Sequence, residues 1–206
     1  MKRIGMFGGA FDPPHRAHLV LAQLAVEALV LDELHIIPTG QAWHKARTLS
    51  SAEHRLAMAQ LAFQGMPRVV VDDRELQRSG PTFTIDTLEA LQVENPGAQL
   101  YLIMGADQFA AFQQWHKWQA IAGLAIIFIA DRPPYTPINA GDDAYFEAYK
   151  GLENRFVRLQ MPPMATSATQ IRQLMTSNAG KTLVINTLVT DPVARYIAAN
   201  HLYSPS

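Results

Sequence analysis

Six short runs of apolar residues recur along the chain, at 3–7, 33–38, 68–71, 99–104, 124–130 and 155–159, and several are apolar at successive rather than alternate positions. A strand of that composition needs cover on both faces, which is the condition of a parallel sheet between two layers of helices. Helical patterns fill the intervals. One starts near Ala17 and carries Leu19, Leu21, Ala22, Leu24, Ala25 and Leu29. A second opens on Ser50-Ser51-Ala52-Glu53, a capping-box pattern, and carries Leu56, Ala59, Leu61 and Phe63. A third covers 84–93, shorter ones are expected at 108–112 and 118–122, and two close the chain at 168–177 and 192–200. The alternation predicts an α/β fold. It is a Rossmann-like doubly wound parallel sheet in a single domain over 1–206, with a small C-terminal helical part from about 160.

Two stretches fall outside the alternation. Residues 131–154 are rich in Pro, Gly, Tyr and acidic side chains and are expected to form a surface excursion, and 39–49 reads as a loop after a strand. In open α/β sheets ligands bind beyond the carboxyl ends of the strands, so such loops are where chemistry is sought.

Composition narrows the function classes. With no cysteine, the chain has no disulfide framework, no thiol catalysis and no Cys-type zinc site. A formal net charge of -1 gives no general attraction for nucleic acid or anionic membrane. The longest apolar run, 123–130, falls well short of a membrane span, and Asp12 interrupts the start before any signal-peptide core could form. These features lead to the expectation of a cytoplasmic protein with no nucleic-acid or membrane partner, and they leave a homo-oligomer open.

The first strand runs directly into Gly8-Gly9-Ala10-Phe11-Asp12-Pro13-Pro14-His15-Arg16-Ala17-His18. Glycines here let the chain turn and let a phosphate approach main-chain N–H groups, and the helix that follows turns its positive end toward an anion. His15 and His18 fall on one side of a helical turn. They read as phosphate donors, as structural caps, or as zinc ligands. The last reading lacks a third ligand at useful spacing. Further on, Ser167 stands at a helix N-cap position with Thr169 and Arg172 within the next turn, an arrangement suited to an anion or to a plain capped helix. Gly105 and Asp107 follow a strand, where Asp107 can accept from ribose hydroxyls, approach Mg2+ or cap a helix. Ala179-Gly180-Lys181-Thr182 echoes the end of a P-loop, but Met175 stands where the first glycine is required.

The segment 8–18 resembles the signature of the (T/S)-x-G-H nucleotidyltransferases, with Ala17 in place of the glycine before the second histidine. More narrowly it is similar to the Gly-Gly-Thr-Phe-Asp-Pro-x-His-x-Gly-His of bacterial nicotinate-nucleotide adenylyltransferases, with Ala10 for the usual threonine. Four further blocks follow in the family's order. They are 72–88, with Glu75-Leu76, Arg78, Gly80 and Thr84; Ile103-Met104-Gly105-Ala106-Asp107; Trp115-His116-Lys117-Trp118 followed by Arg132-Pro133; and Ser167-Ala168-Thr169-Gln170-Ile171-Arg172. Gln41-Ala42-Trp43-His44-Lys45 matches the family's Asn-x-Pro-Pro-His-Lys at His44 and Lys45.

The resemblance implies adenylyl transfer from ATP to nicotinate mononucleotide. It implies His15, His18 and Arg172 as catalytic residues. ATP contacts would come from Gly8, Gly9, Ala10, Phe11, His15, His18, Gly105, Asp107, Ser167, Thr169 and Arg172, and acceptor contacts from Lys45, Thr84, Trp115 and Arg132. Mg2+ would arrive with ATP, bound mainly by phosphates and not by a protein metal site. Two rivals stand beside this reading. One is a related transferase acting on phosphopantetheine, nicotinamide mononucleotide or an alditol phosphate, which the 80–88 and Trp115 blocks disfavour. The other is a non-catalytic nucleotide sensor, which the intact histidines and Arg172 disfavour.

Overall fold

In the computed structural model, which describes residues 1–40, 49–131, 149, 151–164, 166–176 and 181–204, six parallel strands form one sheet. The strands are β1 Arg3–Gly9, β2 Glu33–Pro38, β3 Val69–Val71, β4 Gln99–Gly105, β5 Ala125–Asp131 and β6 Phe156–Gln160. Their order is β3-β2-β1-β4-β5-β6. The chain therefore winds outward from β1 in one direction and from β4 in the other, and the crevice between these two strands is the topological switch point.

Helices α1 (Arg16–Ala28), α2 (Ala52–Phe63), α3 (Arg74–Gln77), α4 (Thr84–Glu94), α5 (Ala106–Phe109), α6 (Trp118–Leu124), α7 (Ala168–Thr176), α8 (Lys181–Leu188) and α9 (Asp191–Ala199) surround the sheet. Successive strand residues serve opposite cores. Tyr101, Ile103 and Phe128 pack with α1, α2 and the C-terminal helices, whereas Leu100, Leu102 and Ile127 pack with α4 and α6. That division is why the strands read as continuous apolar runs. Among the described residues no helix is long and apolar enough to cross a membrane.

Several expectations are corrected. The first strand extends through Gly8 and Gly9, so the turn falls later, at Phe11 (φ 48°), followed by a cis Asp12–Pro13 bond. The cap of α2 is Ser51, not Ser50: Ser51 Oγ accepts the His54 N–H at 3.4 Å, and no capping box closes on Glu53. Ser50 is held elsewhere, its N–H donating to Asp12 Oδ2 and its carbonyl accepting from Arg55 Nε. The helix expected at 108–112 is α5, starting earlier, with a separate 3-10 turn at Phe112–Gln114. Neither α3 nor α8 was anticipated, and three helices, not two, close the chain. Within 131–154, Tyr149 is no part of a surface excursion, since it is buried against Phe109 and Phe156.

Candidate active site

Two clefts open at the carboxyl ends of β1 and β4. The larger one, of about 1230 Å3, is lined by Gly8, Gly9, Ala10, Phe11, Asp12, His15, His18, Gly105, Asp107, Ser167, Thr169 and Arg172, among others. Every residue anticipated for ATP is thereby brought to one place, from three separate stretches of sequence. The smaller, of about 770 Å3, is lined by Thr39, Glu75, Thr84, Trp115 and His116 with several apolar side chains. Gly8, Gly9 and Gln108 line both. Lys45 and Arg132, with the rest of 41–48 and most of 132–150, lie outside the described residues.

The floor of the larger cleft is the end of β1. At Gly8 an added Cβ would meet only the Cε of Met6, at 3.7 Å, and the backbone is extended, so the fold itself makes no demand for glycine there. Phe11 also lines the cleft, and its ring packs in the core, edge-on to Phe7 and Phe63. His15 is the N-cap residue of α1 and His18 the third residue of its first turn. Their rings stack with centroids 3.6 Å apart and an interplanar angle of 17°. His18 Nδ1 accepts the main-chain N–H of His15 at 3.1 Å. In the neutral ring that bond leaves the proton on Nε2, which is then the donor.

Helix α7 opens onto the same cleft. Ser167 Oγ accepts the Gln170 N–H at 3.2 Å, so its oxygen serves as the cap and takes one of the first-turn N–H groups. Neither α1 nor α7 has an acidic residue in its first turn. Two positive helix ends therefore face the cleft with no acidic side chain in either first turn. Arg172 Nη1 donates to the carbonyl of Asp12 at 2.7 Å, and its Nη2 donates to Thr169 Oγ1 at 3.0 Å. The guanidinium thus joins α7 to the turn after β1.

Asp107 is the second residue of α5 and Gly105 its N-cap, which removes the reading of Asp107 as the cap. A Cβ on Gly105 would lie 2.6 Å from Asp107 Oδ1, so glycine there makes room for the carboxylate to fold back over the strand end. Thr84 is the first residue of α4, whose cap is Phe83, and Trp115 is half-buried, its ring edge-on to Phe112.

Sequence reasoning missed a supporting layer. Arg55 is buried, and its Nη1 donates to the carbonyls of Ala10 at 3.2 Å and Thr39 at 2.7 Å, tying the loops after β1 and β2. A charged residue on the buried face of α2, one turn before Met58 and Ala59, was the available signal. Asp12 accepts the Tyr203 hydroxyl. Glu75 is buried beside Gly40, where a Cβ would fall 2.3 Å from the Glu75 carbonyl. Burial pushes the Glu75 carboxyl above its ordinary range, partly offset by the Thr87 hydroxyl that donates to it at 2.9 Å.

Comparison with known proteins gives the family. The cytidylyltransferase-like family profile matches residues 6–174. A protein of Albidiferax ferrireducens, named probable nicotinate-nucleotide adenylyltransferase, is 52% identical over 203 residues covering 98% of both chains. A protein of the same name from Methylibium petroleiphilum is 40% identical over 204 residues, covering 99% of this chain and 93% of its own. Among solved structures, nicotinic acid mononucleotide adenylyltransferase of Plasmodium falciparum complexed with NaAD superposes with a TM-score of 0.78 at 18% identity, covering 98% of each chain.

Proposed function

The chain belongs to the cytidylyltransferase-like family and, within it, to the nicotinate-nucleotide adenylyltransferases, and from that premise we propose how its two clefts divide the work. The enzyme transfers the adenylyl group of ATP to nicotinate mononucleotide, giving nicotinate adenine dinucleotide and pyrophosphate in NAD synthesis. The observation that carries the assignment of sites is the shared wall of Gly8, Gly9 and Gln108. Substrates held in the two clefts bring their phosphates together over that wall, which converts a bimolecular encounter into an aligned displacement.

In this reading ATP occupies the larger cleft. Its phosphates lie over the main chain of Gly8, Gly9, Ala10 and Phe11, within reach of His15, His18 and Arg172 and of the first turn of α7 at Ser167 and Thr169. Gly105 and Asp107 receive the ribose. The mononucleotide occupies the smaller cleft, its pyridine ring against Trp115 and the N-terminus of α4 at Thr84. Lys45 and Arg132 are proposed as further acceptor contacts.

A 5′-phosphate oxygen attacks the α-phosphorus. One P–O bond forms there as the bond from that phosphorus to the α,β-bridging oxygen breaks, and pyrophosphate leaves. The second ionisation of such a phosphate lies near pH 6, about one unit below neutrality, so no general base is required. The protein instead supplies alignment and donors for the charge on the phosphoryl and pyrophosphate oxygens. The His18 Nε2–H and the Arg172 guanidinium are suited to that.

Mg2+ carried by ATP would neutralise the departing pyrophosphate. Among the described residues no three His, Asp or Glu side chains gather to hold a metal. Asp107 is the exposed carboxylate at the cleft, whereas the carboxylate of Asp12 is engaged by Tyr203 and Ser50. The donor set fits an ion held chiefly by phosphate oxygens, with Asp107 nearby.

A pyrophosphate-release assay tests the reading. Release is expected with ATP and nicotinate mononucleotide together and with neither alone. Release with phosphopantetheine or an alditol phosphate but not with the mononucleotide would overturn it.

A further inference from the structure

Arg55 is a cation on α2 that is only 3% exposed and lines neither cleft. Its guanidinium meets main-chain carbonyls from three loops. Nη1 donates to Ala10 at 3.2 Å and to Thr39 at 2.7 Å, and Nε donates to Ser50 at 3.1 Å. Ala10 lines the larger cleft and Thr39 the smaller. Ser50 in turn donates its N–H to Asp12 Oδ2, and the Asp12 carbonyl accepts from Arg172. The place of these bonds follows from the sheet. β1 and β2 pair in register through Gly9 and Pro38, and the Thr39 N–H still reaches the Gly9 carbonyl at 2.8 Å. Beyond that point the two chains turn to different clefts, and Nη1 joins them where the ladder stops. Gly40 is confined from the other side. A Cβ there would fall 2.3 Å from the Glu75 carbonyl oxygen and 2.8 Å from Thr82 Cγ2. The corner after β2 is thus pressed against α3 and held by α2.

We propose that Arg55 is a positioning residue for the transfer, one that sets the spacing between the phosphate floor at Ala10 and the acceptor wall at Thr39. The inference rests on the assignment of the two clefts to ATP and the mononucleotide. A planar guanidinium holds its donors at fixed angles, so three carbonyls bonded to one fork keep fixed places relative to one another. Hydrogen bonds to a charged group are also the stronger kind, and a buried carbonyl left without a partner is costly. The loops therefore gain little by drifting apart. Each substrate touches one side of this arrangement. Binding of either alone does not depend on the spacing, whereas in-line attack of one on the other does. Arg55 acts through the main chain of Ala10 and Thr39, and its effect belongs to the step that needs both substrates in register.

Arg55→Lys is the main test. It keeps the charge, but its chain is one bond shorter than the path to Nη1 and its ammonium lacks the planar fork. Arg55→Met removes the charge as well. Calorimetry with ATP alone and with nicotinate mononucleotide alone gives each affinity and counts the binding sites. Pyrophosphate formed in a single turnover at saturating substrates is then expressed per site. Both affinities are expected to stay within about twofold of the natural protein's. The rate per site is expected to fall by about tenfold or more in both variants, the scale of a misplacement of about 1 Å. A smaller fall overturns the inference, whatever the affinities do. Fewer sites with an unchanged rate per site would mean that Arg55 serves folding alone. Weaker binding of one substrate with an unchanged rate would tie it to a single cleft. If neither variant folds, Arg55 is a folding element and the inference fails. If the natural protein forms no pyrophosphate from these two substrates, the reading of the activity fails instead, a result seen before any variant is made.

Discussion

The hydroxyl of Tyr203 donates to Oδ1 of Asp12 across 2.6 Å, linking the turn after the last helix to the turn after β1 beside the larger cleft. Asp12 is buried, and burial followed by the neighbouring carboxylate pushes the Tyr203 phenol well above its ordinary range, so it stays a donor. The carbonyl of the same Asp12 accepts from Arg172. Removing the hydroxyl takes one partner from a buried carboxylate, so Tyr203→Phe is expected to cost roughly 1–3 kcal/mol of stability. It should also lower kcat, because Arg172 is positioned through Asp12. Urea unfolding and steady-state kinetics check both, and an unchanged unfolding midpoint would show that the bond contributes nothing.

Gly8→Ala separates function from folding. The strand accepts a side chain at this position, since only the Met6 methyl lies near and the backbone is extended. Stability is expected to hold or to rise by up to about 1 kcal/mol, as a glycine's unfolded-state entropy is reduced. Activity is expected to fall at least tenfold, because the new methyl occupies the wall between the two substrates. Thermal unfolding alongside pyrophosphate release would show this split, and full activity would remove Gly8 from the phosphate floor.

These residues also mark how far the sequence could be read. The apolar runs and the helical periods between them carried the sheet, because burial on both faces leaves a local imprint in every strand. The residues lining the larger cleft were legible as well, being clustered at strand ends and helix starts. The layer behind them was not. Asp12 with Tyr203, Arg55 with Thr39, and Gly40 with Glu75 are contacts between distant stretches, and no local pattern specifies the partner. The helices α3 and α8 were missed because one has only 4 residues and the other begins inside an apparent phosphate-loop motif.

His18 has two duties that one substitution removes together. Its Nδ1 accepts the His15 N–H at the start of α1, and its Nε2 remains as the donor toward the cleft. Loss of a helix-start acceptor costs roughly 1 kcal/mol. Loss of an electrostatic donor costs about 3 kcal/mol in the transition state, or about a hundredfold in rate. His18→Ala is therefore expected to be folded, slightly less stable and slow. Near-normal turnover in the folded variant would exclude His18 from the chemistry.

Away from the clefts, Asp72 makes stability depend on acid. Burial alone would raise its carboxyl, but hydrogen bonds from His35, from the Arg74 N–H and from the Arg74 guanidinium outweigh burial and hold it at about 2. Its ordinary value is 3.8, so the folded state binds this proton less readily than the unfolded chain does. The stabilisation is complete above about pH 4 and is lost as pH falls toward 2. A difference of that size corresponds to roughly 2 kcal/mol, reduced toward 1 by solvent screening at this half-buried site. Unfolding free energy should therefore drop more steeply between pH 4 and 2 in the natural protein than in Asp72→Asn, when both are followed by urea titration. Parallel curves would mean that the Arg74 and His35 contacts do not couple folding to this proton.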